Sequence, residues 1–207
     1  MPGIPKLKDC DRVLIVEGYS DLLFYAEFLE SVGKHGSVFI KEFGGKEDLL
    51  IKLEDFITPL LLAEKVKIGV IVDGDGNPGG AFTSVQNKLA ELTRQTVPAA
   101  GSWTGGQPSI GVFITPDGTA SGEIETLVWS AWCADPTNEP MKACIEQYRD
   151  CVATAGFKAH SADKGLISTL LAIRYDEDPR LGPGARTGVF NFDAPEFAGL
   201  RGFLSAF

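Results

Sequence analysis

Acidic residues recur in this sequence directly after short β-branched runs, which is where an α/β chain gathers ligands. Glu17 follows Arg12-Val-Leu-Ile-Val16, and Asp21 comes one helical turn later. Asp73 and Asp75 follow Lys67-Ile-Gly-Val-Ile-Val72, while Asp117, Glu123 and Glu125 follow Ile110-Gly-Val-Phe-Ile114. Glu17 and Asp21 are four apart at a strand–helix junction, a spacing that lets both face one crevice. Asp73 and Asp75 are two apart, so in an extended segment both point the same way. Gly74 and Gly76 let the backbone come close to whatever the acids hold. Carboxylates gathered in this way repel one another, by ~4 kcal/mol for two charges at 4 Å and an effective dielectric near 20. Protonation or a bound cation must relieve that cost. With His35 and His160 the only imidazoles and no C-x-x-C pair, any metal would be held by oxygen, which points to magnesium, manganese or calcium. Two such ions about 3.5–4 Å apart would serve phosphoryl transfer. Taken singly, each acid is more simply a helix cap or a solvated charge, and that is the expectation for Asp117 and Glu123. The signal lies in E-G-x-x-D after one strand combined with D-x-D after another.

The elements that would position these acids alternate along the chain. Strands are expected at 12–16, 37–41, 67–72 and 110–114. Helices are expected from Ser20, as cap, to about Val32; from about Lys46 to Ala63, kinked or ended by Pro59; from about Phe82 to Thr93; and from about Gly122. Residues 97–109 read as loop. The alternation predicts a mostly parallel sheet of about four strands flanked by helices, and ligands in such a sheet sit at the carboxyl ends of the strands. The last third reads as helical. Met141, Cys144, Ile145, Tyr148, Val152 and Ala155 form an apolar stripe that is core or a dimer face. A helix over about 163–174 follows, and a last one starts at Asp193 with Glu196 completing a capping box. Its stripe is Phe197, Leu200, Phe203, Leu204 and Phe207.

With 207 residues, 44% apolar and 23% charged, the chain can build a core and suits a single domain over 1–207. No stretch approaches the ~18 apolar residues of a membrane span, and the N-terminus lacks a signal-peptide apolar block, so a cytoplasmic location is expected. The net charge of −9 is the wrong sign for gripping nucleic acid by charge alone, so a phosphate partner would be met by a local basic patch or by bound metal. Cys10, Cys133, Cys144 and Cys151 read as free thiols, several of them buried. Lys158, Lys164, Arg174, Arg180 and Arg186 give the last third a basic bias, by default a solvated face. Trp103 and Trp129 could stack on bases, though packing is the commoner role. The G-x-G-x-x-G at 74–79 has Asp75 where a pyrophosphate would lie, the D-x-D-x-N at 73–77 has Pro78 where a calcium loop needs glycine, and Gly45-Lys46 is followed by Glu47 rather than Ser or Thr. Dinucleotide, EF-hand and P-loop sites are therefore not expected.

Two segments carry a resemblance. V-L-I-V-E-G-Y-S-D at 13–21 and V-I-V-D-G-D at 70–75 resemble the signature motifs of the Toprim domain, a Rossmann-like α/β fold, with Gly44-Gly45-Lys46 in the place of its Gly-rich turn. The resemblance implies a Toprim-like core over about 10–130 and a helical C-terminal extension over about 131–207. Pro116-Asp117 followed by Gly122-Glu-Ile-Glu125, and Ala162-Asp163-Lys164 before a Leu-rich helix, resemble small OLD-like Toprim proteins. Two departures stand out: Pro78 where D-x-D-x-x-G is common, and Asp163 where proline is usual. The resemblance implies a Mg2+- or Mn2+-dependent nuclease acting on DNA or RNA in nucleic-acid processing or phage defence. Glu17, Asp21, Asp73, Asp75 and Glu125 would share metal ligation, Glu17 would alternatively act as general base, and Lys164 would neutralise the transition-state phosphate. The alternatives are a small ribosomal-RNA maturase and a non-enzymatic metal- or nucleotide-binding subunit with an ATPase partner in trans. A haloacid-dehalogenase-like phosphatase would need Asp on the first strand, where Glu17 stands. A homodimer is a further expectation.

Overall fold

The computed structural model describes residues 5–157, 161–175 and 178–207. It is an α/β structure built on a five-stranded sheet: β1 Arg12–Val16, β2 Val38–Glu42, β3 Lys67–Asp73, β4 Ser102–Trp103 and β5 Ser109–Thr115, in spatial order β2-β1-β3-β5-β4. All pairings are parallel except β4 with β5. β4 is a two-residue edge strand inside the stretch read as loop, so the count rises from about four to five. Gly- and Ser-rich composition hides so short a strand, because the neighbouring strand rather than local propensity makes it.

The central strands are apolar throughout because both faces are covered. Val13, Ile15, Ile68, Val70, Val72, Ile110, Val112 and Ile114 point to α2 (Lys46–Leu62) and α3 (Pro78–Thr93). Leu14, Val16, Ile71 and Phe113 point to the opposite layer, with α1 (Tyr19–Ser31), α4 (Ile124–Cys133), α6 (Ala162–Arg174) and α8 (Ala198–Ser205). The C-terminal residues thus complete one face of the sheet. Phe197, Leu200, Phe203, Leu204 and Phe207 are all buried, as their stripe predicts. Trp103 stacks on Phe203 at 4.7 Å between ring centres, and Trp129 stacks on Trp132 at 5.3 Å, so both tryptophans are engaged in packing rather than offered to bases.

Several boundaries differ from the sequence reading for identifiable reasons. α1 begins two residues earlier than a Ser20 cap allows, because Asp21 reaches back to the Gly18 N–H at 2.9 Å. Ser20 Oγ instead accepts from Gly182 N at 3.1 Å. α3 begins at Pro78 rather than Phe82, since proline suits the first helical position and Asn77 Oδ1 caps Gly80 N at 2.9 Å. α2 runs through Pro59 to Leu62. Asp193 starts no helix: it pairs with Arg201 at 2.7 Å, and a 3-10 turn at Pro195–Phe197 precedes α8. The stripe on α5 (Glu139–Thr154) is not core, because only Ile145 is buried while Tyr148, Cys144 and Cys151 are exposed. Of the cysteines, only Cys10 is fully buried, with Cys133 half-buried. Arg180 pairs with Asp178 and Arg186 with Glu27; Lys158 lies outside the described residues. Among the described residues no helix is long and apolar enough to cross a membrane.

Candidate active site at the carboxyl ends of the first and third strands

The chain leaves β1 on one side to form β2 and returns on the other to form β3, so the strand order reverses between β1 and β3. Ligand crevices form outside the carboxyl ends at such a reversal. The β1–β3 ladder stops at Ile15–Val70, whereas β3 stays paired to β5 as far as Asp73–Thr115. A side chain closes the interval: Glu17 Oε1 accepts from Asp73 N at 2.8 Å. The Glu17 carbonyl also accepts from Phe43 N at 3.2 Å and Gly45 N at 2.9 Å, which docks the turn after β2 onto the same place. Gly45 has φ +141, open to glycine, and α2 follows it directly. Lys46, the first residue of α2, reaches the Asp73 carbonyl at 2.6 Å and Asp75 Oδ2 at 2.9 Å.

Asp73 is held firmly. Its Oδ1 accepts from Thr115 Oγ1 at 2.6 Å and from Ile124 N, in the first turn of α4, at 3.0 Å. The D-x-D loop is joined to that helix start by reciprocal 2.8 Å bonds between Asp75 and Gly122. Gly122 sits at φ +140, and a Cβ there would lie 2.7 Å from Thr126 Oγ1. Glu125, one residue further in α4, is 6% exposed, and its Oε2 is buried with no hydrogen-bond partner.

The electrostatics show which acids share a space. Burial, then repulsion by Asp73, lifts Glu17 from 4.5 to about 7; burial and Asp73 lift Asp21 from 3.8 to about 6. Burial raises Glu125 to about 7 against the pull of Lys164. Asp73 is also raised by burial, held back by its bonds from Thr115 and Ile124 and by Lys164. The Tyr25 phenol, 2% exposed, is driven up by burial and by the charges of Asp21, Asp73, Glu125 and Glu17. Glu17, Asp21, Asp73 and Glu125 therefore form one partly desolvated group above Tyr25. Asp75 stands apart. Its φ is +47, not extended, so it does not point alongside Asp73; its side chain is 56% exposed and bound to Lys46 at the rim. Lys164, on the first turn of α6, is paired with Glu123 at 2.5 Å and felt by Asp21, Asp73 and Glu125. Asp117 is outside the group, closing its own turn by accepting from Thr119 N and Ala120 N.

A stability consequence follows with a definite sign. Glu17, Asp21 and Glu125 hold protons more tightly folded than unfolded, so their contribution is fully present below the unfolded values and is lost as pH rises through about 6 to 7. Asp117 and Asp178, whose values are lowered, act in a more acidic window. The metal-free melting temperature should fall between about pH 5 and 7.5, and Glu125→Gln should flatten that fall. A Glu125→Gln curve parallel to wild type would remove Glu125 from the coupled group.

A divalent cation suits the chemistry of this donor set: hard carboxylate oxygens, mutual repulsion already expressed as raised proton affinity, and an unpartnered buried Glu125 oxygen. Among the described residues, no group of three or more Asp, Glu, His or Cys side chains is placed so that it could hold a metal ion. The sequence reading took Glu123 for a cap or solvated charge, gave Lys46 no role, noted Asp163 only as a departure from the usual proline, and passed over Thr115 and Tyr25. Tyr25 carried a signal, one helical turn after Asp21. The partners of Thr115 and Asp163 come from distant segments and left none.

No curated protein matches the chain, and neither does any solved structure. The family described as "Protein of unknown function (DUF3226)" matches residues 11–207, nearly the entire length, and the protein belongs to that family.

Proposed function

We propose that the protein is a Mg2+- or Mn2+-dependent nuclease of the Toprim/OLD-like type, hydrolysing phosphodiesters of DNA or RNA. The observation that carries this reading is the 2.8 Å bond from Asp73 N to Glu17 Oε1, which joins the E-G-x-x-D and D-x-D segments at the reversal of strand order. Glu17, Asp21, Asp73 and Glu125 would hold the cation, with Asp75 contributing from the rim. The cation would supply charge neutralisation and a more acidic water. As the alternative to ligation, Glu17, raised to about 7 by burial and Asp73 in the absence of a cation, would take up or release a proton near neutral pH. Lys46, paired with Asp75, and Lys164, paired with Glu123, bring positive charge beside the acids, where a phosphate would otherwise meet an acidic chain. A non-enzymatic subunit is the second reading, supported by the exposed Tyr148, Phe157 and Ile173 on and beside α5 and α6, which offer an apolar face to a partner such as an ATPase.

The test is incubation of purified protein with supercoiled DNA, single-stranded DNA and RNA in Mn2+ or Mg2+. Cleavage that disappears in Glu17→Gln and on chelation supports the nuclease. Intact substrates in both metals, with tight cation uptake by calorimetry, favour the binding subunit.

A further inference from the structure

We propose that Glu123 and Asp163 are positioning residues that hold Lys164 at the mouth of the carboxylate group. The proposal rests on the nuclease reading for its consequence in turnover, but its geometry stands by itself. α6 carries Lys164 in its first turn, where Ser161 Oγ accepts from Lys164 N at 3.2 Å. That turn is fastened to the first turn of α4 by one side-chain bond, Thr126 Oγ1 donating to Asp163 Oδ2 at 2.5 Å. The same Thr126 Oγ1 accepts from Glu123 N at 3.0 Å. One hydroxyl thus bonds both the main chain of Glu123 and the carboxylate next to Lys164. Lys164 Nζ closes the ring as an ion pair with Glu123 Oε2 at 2.5 Å, without hydrogen-bond geometry.

The ring is built between two helix starts that the chain separates by nearly forty positions, and each start has a reason to be there. α4 begins where Ile124 N binds Asp73, so its first turn is anchored to the carboxylate group itself. α6 is anchored to α4 through the buried Leu166, Ile167 and Leu170, in one core with Ile124, Leu127 and Val128. Packing sets the distance between the helices, and the Thr126–Asp163 bond sets the rotation of the turn that bears the lysine. Glu123 then acts as counter-ion. Its side chain is 19% exposed while that of Lys164 is 54% exposed, so the acid is the more enclosed partner of the pair. Asp75, Gly76, Ser121, Gly122, Glu123, Thr126, Ser161 and Asp163 border a crevice of about 370 Å³ at this rim. Ser161 and Asp163, beside Lys164 at the start of α6, line that crevice, so the lysine stands next to it. Without Glu123 and Asp163, Lys164 has the freedom of a surface lysine and loses its pre-set position.

Turnover and position are tested separately. Asp163→Ala should lower cleavage by about tenfold or more, the scale for losing a residue that orients a functional group. Asp163→Asn should recover most of the loss, because its amide oxygen still accepts from Thr126. Glu123→Ala should lower cleavage in the wild-type background but add nothing in Lys164→Met, since its effect passes through the lysine. Additive losses, or an Asp163→Asn as poor as Asp163→Ala, would overturn the proposal. Position is read without activity by 13C-dimethylation of lysines, with Lys164→Arg assigning the signal. The Lys164 signal should be displaced from the free-lysine position and should return to it in Glu123→Ala. A Lys164 signal already at the free position in the wild type would sink the positioning role. Absent cleavage with a displaced, Glu123-dependent signal would sink the nuclease reading alone.

Discussion

Asp73→Asn is expected to lower metal-dependent cleavage by roughly 10²–10³-fold, the scale of removing one group that manages transition-state charge, without lowering the melting temperature. Asp73 Oδ1 accepts from Thr115 Oγ1 and Ile124 N, and an asparagine oxygen can accept both bonds. What disappears is the negative charge. In the metal-free protein that charge is a burden, because Asp73 raises the proton affinity of Glu17, Asp21 and Glu125. Neutralising it should leave the apo protein equally or more stable at pH 7.5. The cation-induced rise in melting temperature should shrink, since ligand stabilisation scales with the logarithm of affinity. Cleavage and Mn2+ uptake both at wild-type levels in Asp73→Asn would show that the four acids are not a metal site. A stability loss of several kcal/mol with metal uptake intact would show that Asp73 is there for the fold.

Gly182→Ala is expected to be strongly destabilising. Gly182 lies in α7, the short helical turn Leu181–Gly184 that packs on α1. A Cβ at this position would sit 2.5 Å from the Ser20 carbonyl oxygen and 2.8 Å from Leu23 Cβ. Neither atom belongs to the free end of a side chain, so the two segments themselves must part. That motion also breaks the Gly182 N to Ser20 Oγ bond. The cost should be about 2–3 kcal/mol, the range for overpacking a close contact. It should lower the melting temperature by about 4–12 °C for a chain of this size. Because α1 carries Asp21 in its first turn, the cation-induced shift should weaken as well. Gly202→Ala is the control: it lies in α8 with nothing within 4 Å of the added carbon, and the change should be neutral or slightly stabilising. Equal melting temperatures for the two variants would contradict the packing of α7 on α1.

Much of the architecture was legible because its signals are local. The runs at 12–16 and 67–72 are too apolar and too short for anything but strands buried on both faces, and the strands formed are Arg12–Val16 and Lys67–Asp73. The phenylalanine-rich stripe from Phe197 to Phe207 is buried wherever its helix begins, since 3.6-residue spacing survives an error in the cap. Caps were less legible. Ser20 and Asp193 have the right side chains for an N-cap, yet each is claimed by a distant partner, Gly182 in one case and Arg201 in the other. The stripe on α5 was ambiguous for a related reason, because periodicity shows that a face is apolar without showing what covers it.

The sequence by itself determined the order of the four longer strands and the main helices, though not the edge strand β4, and the presence of acids at strand ends, because these depend on residue type and spacing over a few positions. Only the tertiary structure decided which acids share one space. Glu17 and Asp73 meet because β1 and β3 are neighbours, and Glu125 joins them because the first turn of α4 binds Asp73. Asp75, two residues from Asp73, turns away to Lys46 because its backbone adopts φ +47 beside Gly122. Glu123, which looked like a solvated charge, becomes the partner of Lys164 because two helix starts far apart in the chain are brought side by side. Distance along the chain decides what a side chain is, whereas distance through space decides which charges it must live beside, and the second is set by packing that no local pattern encodes.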